Sequence, residues 1–145
     1  MLFRSPASGV IVSRAVAEGL EEPGFLLRTG YTYSGHPTVA AAVVKNLEIM
    51  TDEDLVSRAD HIGKKLEEGL QALTSDGLVE GYRGVAGVWA AVLGRDSVPV
   101  RNLMLEKGVI VRPIGEILAI CPPLVITDDE IGRMIDTMAD ALRAT

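Results

Sequence analysis

Hydrophobic positions along this chain switch between short β-branched runs and steps of three and four, and each switch marks an element. Gly9-Val10-Ile11-Val12-Ser13, shortly after Pro6, has the composition of a buried strand. Arg14 to Leu20 reads as a short helix closed by Glu21-Glu22-Pro23-Gly24, a turn signal. Residues 29–37 (TGYTYSGHP) are polar, aromatic and glycine-containing, and predict a loop. Thr38 to Met50 is apolar on most sides, as suits a helix buried between layers. In the next helix Thr51 is the expected N-cap, with Asp52 and Glu53 at the positive end of the dipole and Asp54 at the capping-box position. Its apolar stripe is Leu55, Ala59, Ile62, Leu66, Leu70 and Leu73, and Asp76-Gly77 ends it.

Beyond Val79 the period becomes that of a sheet. Val85 to Leu93 reads as the main strand, and Val98 to Glu106 as a helix stopped at Gly108. Gly108 to Arg112 and Ile117 to Cys121 bracket residues 113–116 as a hairpin, and Pro122-Pro123 breaks its second strand. Thr127 and Glu130 have capping-box spacing ahead of a last helix with the stripe Ile131, Met134, Ile135, Met138 and Leu142. The second half therefore predicts an α+β unit, with helices on one face of a small, mostly antiparallel sheet. The strand expected at Gly9 to Ser13 has no evident partner in the sequence.

Composition narrows the function. With 145 residues, 48% of them hydrophobic, the chain can bury one core. One Trp, three Tyr and two Phe leave that core to aliphatic side chains. A net charge of -6, with no basic cluster denser than Lys64-Lys65, argues against a nucleic-acid partner. A single cysteine precludes an intrachain disulfide and suits a reducing cytoplasm. The start of the chain lacks the pattern of a signal peptide, and no apolar stretch is long enough for a membrane span. A cytoplasmic protein is expected.

Candidate chemistry is confined to a few positions. The 29–37 loop, with Thr32, Ser34, Gly35 and backbone amides ahead of a helix, suits either an anion such as phosphate or a plain capping turn steadied by His36. Arg112 ends an apolar run before Pro113, so it leaves the sheet at a rim. There it can bind a carboxylate through both nitrogens or pair with Glu116 across the turn. Cys121 has no histidine near it in sequence and is expected to be a buried structural thiol. His61, beside Asp60 and Lys64, is expected to be solvated. No histidine or cysteine pair has metal-ligand spacing.

Gly30 to Pro37 (GYTYSGHP), followed by an Ala-rich helix, resembles a characteristic block of the class III, fold-type I, pyridoxal-phosphate (PLP)-dependent aminotransferases, the omega-transaminase group. Ser8 to Ser13 resembles the strand after that family's lysine loop, and Arg83 to Trp89 its RG-x-G strand. Gly108 to Pro113 with Pro122 to Ile126 is similar to its terminal hairpin and helix entry. The blocks occur in family order and cover nearly the whole chain.

The resemblance implies an α/β chain made of the C-terminal small domain and a strand-helix remnant of the large domain, divided as 1–37 and 38–145. It implies that Thr32, with Tyr31 beside it, binds the phosphate of PLP from the neighbouring subunit of a dimer. Arg112 would be the mobile arginine that pairs with the carboxylate of an amino or keto acid. The reaction implied is amino transfer from an amine or amino acid to a keto acid such as pyruvate. Aligning Pro6-Ala7-Ser8 with the family pattern puts the Schiff-base lysine just before Met1, and none of Lys45, Lys64, Lys65 and Lys107 matches it. The expectation is a C-terminal fragment with no catalytic residue of its own and inactive by itself. The competing expectations are a non-catalytic module that associates with itself or with an N-terminal half, and a phosphate-ester binder using Thr32.

Overall fold

The computed structural model describes residues 8–30, 32 and 34–145. Its helices are α1 (Arg14–Leu20), α2 (Pro37–Asp52), α3 (Leu55–Ser75), α4 (Val98–Glu106) and α5 (Asp128–Arg143). Its strands are β1 (Gly81–Val85), β2 (Val88–Val92), β3 (Arg112–Ile114) and β4 (Ile117–Ile120). The chain forms two compact units, Met1–Asp52 and Glu53–Thr145.

In the first unit α1 starts as its sequence predicts, with the Ser13 hydroxyl accepting the Val16 N–H. The strand expected at Gly9 to Ser13 does not form. Those residues are exposed and carry no ladder, because no other strand of this unit stands beside them among the described residues. Helix α2 begins with Pro37 at its first position, where a missing N–H costs nothing. It buries none of its residues and leaves Val43, Val44 and Leu47 exposed, so the layers expected around it are not supplied within its unit. It also runs through Thr51, whose hydroxyl donates back to the Leu47 carbonyl instead of capping α3. The N-cap position of α3 falls to Asp54, in the left-handed region at φ 48°. Aspartate tolerates that conformation better than most residues.

The second unit is a four-stranded, wholly antiparallel sheet in the order β1-β2-β4-β3. Helices α3 and α5 pack on each other, α3 also packs on β1 and β2, and α4 joins α5 and β3. The predicted stripes meet here. Ile62, Leu66, Leu70 and Leu73 of α3 and Ile131, Met134, Met138 and Leu142 of α5 are buried with Trp89, Ala91, Leu118 and Ile120 of the sheet. The α5 capping box is complete, with the Thr127 hydroxyl accepting the Glu130 N–H (3.2 Å) and the Glu130 carboxylate accepting the Thr127 N–H (2.8 Å).

The strand expected to run unbroken over Val85 to Leu93 is interrupted by a hairpin turn, with Val85 ending β1 and Val88 starting β2. Val85 pairs with Val88 across Ala86-Gly87, and Ala86 takes φ 47°. An alanine there is strained, and one local and one distant contact hold it. Trp89 Nε1 donates to the Ala86 carbonyl (2.7 Å), and Gly63 of α3 gives that carbonyl room a side chain would occupy. The second hairpin turns at Gly115-Glu116 and pairs only from Arg112 onward. Gly108 (φ 82°) ends α4, and the following residues, of which Val111 is buried, lead into β3 without pairing. Among the described residues no helix is long and apolar enough to cross a membrane.

Candidate functional site

The GYTYSGHP loop lies in the first unit. Tyr31 and Tyr33 are outside the described residues, as are Met1 to Ala7, which include part of the expected lysine-loop remnant. Thr32 is exposed in a turn, and Gly35 takes φ 70°. From there the chain enters α2, whose first turn closes with the Ala40 N–H on the His36 carbonyl (3.0 Å). A hydroxyl, a glycine turn and the free amides of a helix start are the groups that bind phosphate without a metal.

Arg112 lies in the second unit, as the first residue of β3 at the edge of the sheet. It is exposed and paired in register with Ala119. Among the described residues its guanidinium has no hydrogen-bond or ion-pair partner, Glu116 included, so the cross-turn pair is not formed. An exposed guanidinium without a carboxylate of its own is free to take one from a ligand. Thr32 and Arg112 belong to different units.

Lysine chemistry is the decisive fit test for PLP. The cofactor needs an ammonium group whose pKa can be lowered by desolvation. Lys45 is paired with Glu48 (3.0 Å) on α2, Lys65 with Glu68 (3.5 Å) on α3, and Lys107 with Asp140 (2.8 Å). Lys64 is exposed on α3. These are solvated lysines on helix surfaces or ends. None of these lysines is the desolvated amine that the carbonyl of PLP requires.

Two expectations about other residues change. Cys121 is exposed, because β4 stops at Ile120 and Pro122-Pro123 carries the chain away from the core. It lines a groove of about 320 Å³ with Val109, Ile120, Ile126, Arg133 and Met134. His61 is half-exposed but tied down, with Nε2 at 2.9 and 3.0 Å from the two Asp128 carboxylate oxygens. Arg58 donates to the Ile126 carbonyl (2.6 Å) and reaches Asp128 at 3.4 Å. The hydrogen bond from His61, aided by the charges of His61, Arg58 and Lys65, holds the Asp128 carboxyl below its usual value of 3.8. This cluster fastens α3 to the start of α5. Sequence reasoning missed it because its members lie 67 and 70 positions apart, with no local signal linking them.

The sequence model of the family Aminotransferase class-III matches residues 5–142. A probable gamma-aminobutyrate transaminase 4 of Oryza sativa subsp. japonica is 27% identical over 97% of this chain and 33% of its own length. An omega-aminotransferase of Caulobacter vibrioides is 32% identical over 94% of this chain and 32% of its own. Among solved structures, a PLP-bound amine transaminase from an uncultivated Pseudomonas species superimposes with a TM-score of 0.84. It is 32% identical over 90% of this chain and 33% of that one. The chain thus spans about a third of the length of the curated relatives it matches.

Proposed function

As the chain belongs to the class III aminotransferases, whose cofactor is PLP and whose substrates are amines or amino acids and keto acids, we propose that it contributes the small-domain part of an amino-transfer enzyme and does not catalyse that reaction by itself. The observation that carries the reading is the likeness to a PLP-bound transaminase over 90% of the chain, against lysines that are all solvated or ion-paired. Bound PLP supplies the electron sink, while the protein must bind it, orient it and move the proton. In this proposal Thr32 and Tyr31 hold the cofactor phosphate of a neighbouring subunit, and Arg112 holds the substrate carboxylate. Residues 1–37 belong to the large domain and 38–145 to the connecting helix and small domain. A cytoplasmic location accords with the single cysteine.

The test is an absorbance spectrum of the 145-residue chain mixed with PLP, followed by borohydride reduction and mass spectrometry. The expected result is no defined adduct, together with no amino transfer to pyruvate. A band that reduces to one adduct on a single lysine, with measurable transfer, overturns the proposal.

A second reading, a self-associating or partner-completing module, is favoured by the exposed apolar residues of the first unit. Ile11, Leu26, Leu27, Val44 and Leu47 are all more than half exposed. A strictly monomeric mass in solution would count against it.

A further inference from the structure

The four strands contain no carboxylate and only two charged residues, Arg83 in β1 and Arg112 in β3. The register puts both in one row. Arg83 pairs with Ala90, Ala90 with Ala119, and Ala119 with Arg112. Residues directly opposite one another share a face of the sheet. That face is the outer one. Ala90 lies between Trp89 and Ala91, and Ala119 between Leu118 and Ile120, and all four of these neighbours are buried toward the helices. The row is therefore an arginine on each edge strand with only two methyl groups between them.

Both arginines are exposed, and among the described residues neither has a hydrogen-bond or ion-pair partner. This is notable in a chain of net charge -6, where surface cations meet carboxylates readily. Across three strand spacings the two Cα atoms stand roughly 14 Å apart. At that distance solvent and salt screen the mutual repulsion, so the two cations stand in one row at little cost. Long side chains leaning inward over the alanines can each present a planar fork to a ligand lying between them. A larger residue at position 90 or 119 would fill that space.

We propose that Arg83 is a second anion-binding residue and that Arg83 and Arg112 together form a site for a short dicarboxylate, one carboxylate on each guanidinium. The inference rests on the reading of Arg112 as a carboxylate ligand and adds Arg83 as the residue that sets preference for two charged ends over one. The outer face is flat and open, so the ligand is held by its ends rather than by enclosure.

The experiment titrates the 145-residue chain with succinate and, separately, with acetate at matched ionic strength, following the amide resonances of Ala90 and Ala119. Succinate is expected to shift them saturably and acetate to bind more weakly. Arg83→Ala and Arg112→Ala should each weaken succinate binding about tenfold, the loss of one charge-assisted contact, bringing it toward the affinity of acetate. Arg83→Lys should restore part of the loss. If Arg112→Ala weakens binding while Arg83→Ala does not, the carboxylate reading of Arg112 stands and the two-arginine site is refuted. If neither variant changes the titration, both fall.

Discussion

Replacing Gly63 by alanine tests how the first hairpin is held on the helices. In an exposed helix interior this change stabilises by about 0.5–1 kcal/mol, because alanine loses less backbone freedom on folding. Gly132 of α5 is such a site, with nothing within 4 Å of where an added methyl would stand, and Gly132→Ala should stabilise by about that amount. At Gly63 the same methyl would stand 2.6 Å from the Ala86 carbonyl oxygen and 3.1 Å from two further backbone atoms. Those atoms belong to the strained turn residue whose carbonyl also accepts the Trp89 indole N–H, so retreat is not cheap. Overpacking of this kind costs about 1–3 kcal/mol, and weakening the indole bond adds about 1 kcal/mol. The helix gain offsets only part of this, leaving a net loss of about 1–3 kcal/mol. For a unit of this size the urea midpoint should fall by about 1–2 M. Trp89 is the sole tryptophan and lies in the affected contact, so its fluorescence follows the transition directly. Equal stabilisation by Gly63→Ala and Gly132→Ala would refute the close approach of α3 to the turn.

Further outcomes follow from the start of α5. Thr127→Ala removes the side-chain half of the capping box and should cost about 1 kcal/mol in urea unfolding, whereas Thr127→Ser should cost far less. The Asp128 carboxyl has its pKa lowered by folding, chiefly through the His61 hydrogen bond. Its contribution is therefore present above the ordinary value of 3.8 and is lost as pH falls through the lower folded value. The stability gap between the native chain and Asp128→Asn should shrink as pH falls through the range below 3.8, and a gap that stays unchanged through that range contradicts the contact.

Much of the second unit was legible in residue type and spacing alone. The α3 and α5 stripes, the bounds of α4 and the Thr127–Glu130 box are local or periodic, and periodicity survives folding because burial on one face is what creates it. The 29–37 loop was legible as a loop, and its likeness to one family pointed to a role for Thr32. The errors fall at the ends of elements. Thr51 had the composition of a cap, yet α2 continued through it, since a hydroxyl can bond back to its own helix as readily as start the next one. Cys121, placed at the end of a strand and with no histidine near it, was expected to be buried, but pairing ended one residue earlier and it is exposed.

What the sequence by itself determined is the set of amphipathic faces, the fold class and the family, all of which are written in local pattern. What only the tertiary structure decided is which residues separated by tens of positions share a surface. The turn at Ala86 depends on Gly63, the fastening of α5 depends on His61 and Arg58, and the meeting of Arg83 with Arg112 in one row depends on the registers of three strand pairs. A strand's alternation says that a residue faces out, but register is a relation between strands and has no period within either one. That is why Arg112 could be singled out from the sequence, while Arg83 acquired a partner only when the sheet was assembled.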